Sequence, residues 1–192
     1  MNKIIFILFS VAGFLALGPS TAMGQRDYLT AEEVEIIRDA QQIDQRIEML
    51  VHMIDRRFEV LKLDVAARKS SSKEKKDVWG ELPTGTRREL LYDIKRILQK
   101  AIDDIDNLAE RPTSMVIGPS DNKRKKPAGY AELFPKAVRS LADAAKRYAP
   151  LLKAELDKNN DPPEKGSILD SLDSCEQIIA ALSKLSANGT PK

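Results

Sequence analysis

The stretch TRRELLYDIKRILQKAIDDIDNL, Thr86 to Leu108, decides the fold. Its apolar residues Leu91, Ile94, Leu98, Ala101, Ile105 and Leu108 alternate steps of three and four, the period of one face of an α-helix. Leu90, Ile97 and Ile102 widen that stripe enough to touch two neighbours, as a core-facing helix of a bundle must. Thr86 and Glu89 stand in the capping-box spacing that opens a helix. Arg111-Pro112 closes it, because the residue before proline is pushed out of helical geometry. The spacing therefore predicts a helix over 86–110.

Three more segments repeat this pattern. Upstream, Thr30 and Glu33 form a second capping-box pair, and Ile36, Ala40, Ile43, Ile47, Leu50 and Ile54 continue as a stripe through Phe58, Leu61 and Val65. That regularity predicts one helix over 30–68, roughly 58 Å long at 1.5 Å per residue, unless Gln41-Gln42 bends it. Downstream, Phe134, Val138, Leu141, Ala145, Tyr148, Leu152 and Leu156 predict a helix over 131–157. Pro150 falls inside it and removes a hydrogen bond at a cost on the order of 3 kcal/mol, so a kink or short break is expected there. Asp161-Pro162-Pro163-Glu164 is a cap followed by proline in the first turn, and Ile168, Leu172, Cys175, Ile179 and Leu182 carry the last helix over 162–187. Polar connectors with Trp79-Gly80 and Leu82-Pro83-Thr84-Gly85 as turn material separate the first two helices, and a loop over 113–129 separates the next two. No segment alternates apolar and polar residues, so no sheet is predicted. The reading is all-α: a four-helix bundle of two long αα-hairpins, with the long regular stripes of bundle and coiled-coil seams, in one domain over 25–192.

The N-terminus reads as an address. Lys3 precedes an apolar run from Ile4 to Leu17, Gly18-Pro19 breaks it, and Ala22 and Gly24 fit the small-residue positions before a signal-peptidase cut. The run is shorter than the roughly 20 apolar residues that cross a bilayer as a helix. A signal peptide over 1–24, cleaved near Gly24, and a mature chain that does not span the membrane are expected. Cys175 is the only cysteine and lies far from the cleavage site, so no lipid attachment and no intrachain disulfide are expected. The predicted location is periplasmic or extracellular.

Composition narrows the function classes. The chain has 31 basic and 29 acidic residues, and loss of Lys3 with the signal leaves a net charge of +1. That balance and 5% aromatic content argue against a nucleic-acid partner, whose phosphates and bases call for basic patches and stacking platforms. One histidine, His52, cannot build the paired Glu-x-x-His sites of di-metal bundles or a multi-imidazole zinc site. His52 beside Met49 and Met53 is the one conceivable haem or copper position, with a partly buried structural histidine as the reading preferred here. No cofactor and no catalytic residue are assigned. Asp103, Asp104, Asp106 and Glu110 cluster on one helix as solvent-facing acids. Two basic connectors, Lys73, Lys75 and Lys76 after the first helix and Lys123, Arg124, Lys125 and Lys126 before the third, are the candidate anion-binding residues, for lipid or polysaccharide.

The stretch from Leu29 to Glu33, then Ile36 to Gln41 and Asp44 to Ile47, resembles the opening of a set of uncharacterised bacterial exported helical proteins. The resemblance covers the first helix and implies export and helicity. The expected function is a non-enzymatic interaction or structural module whose partner is a protein or an envelope component. Binding of anions through the basic connectors is the alternative, and a haem or metal carrier a more distant one.

Overall fold

The computed structural model describes residues 26–63, 76–111 and 129–188. All regular structure among them is helical: α1 (Ala31–Asp39), α2 (Ile43–Val60), α3 (Lys76–Trp79), α4 (Arg87–Glu110), α5 (Tyr130–Lys158) and α6 (Pro162–Asn188). Five of these are nine residues or longer, and α3 is a single turn inside the expected turn material. Both predicted capping boxes form, at Thr30 with Glu33 and at Thr86 with Glu89. No helix among the described residues is long and apolar enough to cross a membrane.

The helix expected over 30–68 breaks at Gln41-Gln42, the one step where the sequence allows a bend, and becomes two helices. Ala40 leaves helical geometry with ψ 84°, and α2 starts at Ile43. Neither glycine nor proline causes the break. In a continuous helix Glu33 and Arg57 would stand roughly 36 Å apart. Here their side chains meet at 2.6 Å, so α1 doubles back along α2. Arg46 Nε donates to the Ala40 carbonyl at 2.9 Å, one of the acceptors freed at the break. The same helix also stops earlier than its stripe suggests. Leu63 N–H bonds back to Phe58 O and Lys62 N–H to Glu59 O, both at 3.0 Å, a Schellman closure. The left-handed position in that closure is held by Lys62 at φ +55°, where glycine is usual. Residues 64–68 of the predicted helix lie outside the described residues.

Pro150 does not interrupt α5, which runs through it. Its ring faces solvent, on the side where a carbonyl without a helical donor is hydrated. Phe134 is only half-buried, stacked on Tyr130 at 4.9 Å, and Leu133 and Ala137 take the core positions at that end.

The four longest helices share one core, each lying beside two others in the order α2, α4, α6, α5. Ion pairs fix their directions. Arg57 meets Asp93 and Arg46 meets Asp104, so α2 and α4 are antiparallel. Asp44 meets Lys136 while Tyr148 meets Asp55, so α2 and α5 are parallel. Arg88 and Lys95 meet Asp161 and Asp170, so α4 and α6 are parallel as well. The hairpins α2–α4 and α5–α6 therefore pack with α4 and α5 on a diagonal. Ile47, Leu50, Ile54, Phe58, Ile94, Leu98, Leu141 and Ile168 are buried at the centre. Tyr148 packs on Phe58 at 5.0 Å, and its hydroxyl donates to Asp55 Oδ1 at 2.6 Å.

Candidate functional site

A group of buried, interacting charges lies where α1 and the N-terminal strap (residues 26–30) cover the junction of α2 and α4. Three charged side chains there fall on apolar stripes. Glu33 is one turn before Ile37, Arg57 continues the seam from Ile54, and Asp93 stands between Leu90 and Ile97. Folding the stripes together buries all three: Glu33 is 0% exposed, and the Arg57 and Asp93 side chains 1% and 3%.

The geometry is that of a closed network. Arg57 grips Glu33 with both Nη atoms, at 2.6 Å to Oε1 and 2.7 Å to Oε2. It also donates to the carbonyls of Met53 at 3.0 Å and Tyr28 at 2.7 Å. Glu33 Oε2 accepts the Thr30 backbone N–H at 3.0 Å in the capping box, so one carboxylate closes a helix end and holds a buried arginine. Arg56 sits 3.6 Å from the same carboxylate and donates to the Trp79 carbonyl at 2.6 Å and to that of Glu81, which fastens α3 and the connector. Arg26, on the strap, donates to Asp93 Oδ2 and to the Thr84 carbonyl, both at 2.5 Å. Arg57 Nε has no hydrogen-bond partner and lies 3.7 Å from Asp93 Oδ2. Gly85, at φ +152°, lets the chain pass under the Arg26 guanidinium, which would stand 3.2 Å from a Cβ there.

Burial pushes the Asp93 carboxyl up to about 6, against the opposing pull of Arg26 and Arg57. Burial also lowers Arg56, offset in part by Glu33. Each carboxylate has an arginine within hydrogen-bond reach, the condition under which buried charge is tolerated.

The residues singled out from sequence are elsewhere. Lys73, Lys75, Lys123, Arg124, Lys125 and Lys126 lie outside the described residues, and Lys76 opens α3 with its side chain outside them. Leu63, which precedes the first basic run, stands at the α2 C-terminus, and Arg111, which precedes the second, at the α4 C-terminus. Because α2 and α4 are antiparallel, these are opposite ends of the molecule. His52 is half-buried with its ring 4.3 Å from Trp79. Cys175 is buried, and that burial holds its thiol up at about 12, where it is not nucleophilic at neutral pH. Asp103, Asp106 and Glu110 are exposed, while Asp104 pairs with Lys100 at 3.1 Å. No group of three His, Cys, Asp or Glu side chains among the described residues is arranged to hold a metal ion.

A shallow cleft of about 420 Å³ lies at the α5–α6 turn, lined by Arg87, Glu155, Lys158, Asn159, Asp161 and Glu164. Its charges face one another: Arg87 bonds Glu155 and lies 3.3 Å from Glu164, which accepts from Asn159 at 2.5 Å. No family model, no curated protein and no solved structure matches this chain.

Proposed function

We propose that the chain acts as an exported, non-enzymatic helical module that holds or presents a surface for a protein or envelope partner. The observation that carries this reading is the engagement of the buried charges. Glu33, Arg56, Arg57 and Asp93 are turned toward each other and toward main-chain carbonyls, so their chemistry goes into fixing α1, the strap and the connector. In this reading α2, α4, α5 and α6 form a four-helix bundle in a single domain, and α1 is a folded-back arm. Export rests on the apolar run from Ile4 to Leu17 and the small residues before Gln25, and on the resemblance of residues 29–47 to exported helical proteins.

The test is capture of the native exported protein under mild crosslinking, with mass spectrometry and an absorption spectrum of the eluate. A reproducible protein or envelope partner supports the module. Saturable turnover of a substrate, lost on a point substitution, overturns it. Salt-sensitive binding to anionic vesicles, abolished by neutralising Lys123 to Lys126, moves the assignment to anion binding.

A further inference from the structure

We propose that Asp93 and Arg26 form a proton-operated latch that holds the start of the N-terminal strap against α4 at neutral pH and releases it in mild acid. Polar contacts fasten the strap at two points, and Tyr28 and Leu29 pack against the core. Arg26 reaches Asp93 and Thr84, and the Tyr28 carbonyl accepts from Arg57. The Tyr28 ring also lies under the Arg96 guanidinium at 5.3 Å.

Charge counting selects the group that moves. Around Asp93 stand Arg26 from the strap, Glu33 from α1, Arg57 and its neighbour Arg56 from α2, and Glu89 from α4, which is 4.0 Å from Arg26. With Asp93 ionised, three guanidinium groups share the carboxylates of Glu33 and Asp93, with Glu89 at the rim. Protonating Asp93 leaves Glu33 as the buried anion of this cluster. Arg57 and Arg56 cannot leave, since they are buried on α2 and bonded to Glu33 or to main-chain carbonyls. Arg26 has a side chain 37% exposed, is carried on the strap, and without the Asp93 charge keeps only the Thr84 carbonyl and the Glu89 carboxylate at 4.0 Å. It is the group that departs. The midpoint lies near 6, where burial has placed Asp93. Pairing with Arg26 favours the ionised carboxyl, so protonation of Asp93 and the Arg26 pair oppose one another.

The experiment is NMR on the purified protein between pH 7.5 and 5.0, following the backbone order parameter of Asp27, the side-chain signals of Arg26 and the Asp93 carboxyl carbon. An order parameter of about 0.85 at pH 7.5, falling below about 0.6 at pH 5.0 with the Asp93 midpoint, is expected. Asp93→Asn should leave the start of the strap loose at both pH values while the core signals of Phe58 and Tyr148 persist. Should that variant not fold, Arg26→Gln serves instead: it loosens the start of the strap at both pH values and raises the Asp93 midpoint. An order parameter that stays high or rises on acidification overturns the latch. So does a loosening that survives with the same midpoint in Asp93→Asn, because another group would then be the switch.

Discussion

The two capping boxes differ in everything except their spacing. At Thr86 the box is a local device: Glu89 is 44% exposed, closes the first turn of α4, and reaches Arg26 only at 4.0 Å. Its carboxyl is held below the ordinary glutamate range, chiefly by the Thr86 backbone N–H. At Thr30 the same residues close the first turn of α1, but Glu33 is sealed from water and takes a bidentate arginine from a second helix. A motif that stabilises a helix end where it is exposed becomes a tertiary lock where the chain folds back over it. The cost of removing it should follow burial and not the local pattern.

The largest effect is therefore expected at Glu33. Glu33→Ala leaves Arg57 buried without its counter-ion and should destabilise the fold by about 3–5 kcal/mol in urea unfolding. Glu89→Ala should shift the midpoint far less. Replacing both partners, Glu33→Leu with Arg57→Met, sharpens the contrast. The double variant should recover most of the loss of Glu33→Ala, since a buried pair exchanged for apolar groups is often near neutral.

A pH series tests the same region through Asp93. Its folded value, about 6, lies above the ordinary 3.8, so the folded state takes up the proton first. The stability this contributes is complete below about pH 4 and is lost as pH rises through 6. The urea midpoint should accordingly rise as pH falls from 7 to 5, and Asp93→Asn should flatten that slope. The fold gains stability over the same interval in which the start of the strap loses its anchor.

Smaller effects separate cap from lock. Thr30→Ala and Thr86→Ala each remove a hydroxyl acceptor 3.3 Å from the glutamate N–H, and each should cost about 1 kcal/mol. Similar losses at the two threonines, beside unequal losses at the two glutamates, would show that the difference resides in the carboxylate. The smallest effect is a gain: Lys62→Gly relieves a left-handed residue at the α2 terminus and should stabilise by about 0.5–1 kcal/mol.

Much of this architecture is legible from spacing. The starts of α4 and α6 follow from Thr86 and from Asp161 with Pro162, and the core positions of α4 from its three-and-four stripe. The place of the break is legible in the polar step Gln41-Gln42, but the full reversal there is not, because no glycine or proline marks it. It follows from the reach of Glu33 back to Arg57, a contact across 24 positions. The end of α2 is hidden for a related reason: Lys62 occupies the turn where glycine would have marked it. The ionic cluster did leave a trace, in three charges standing on otherwise apolar stripes. Reading Glu33, Arg57 and Asp93 together would have pointed to buried pairing, although which charge meets which depends on how the helices pack. The basic connectors were conspicuous because their charges are consecutive, whereas the cluster is scattered over four segments of chain.

The central claim is that the buried charges hold the fold through one another. The most direct measurement is a double-mutant cycle in urea with Glu33→Ala, Arg57→Ala and the pair. The account predicts a coupling above about 2 kcal/mol, as for residues in one buried network, and a coupling under about 0.5 kcal/mol would contradict it.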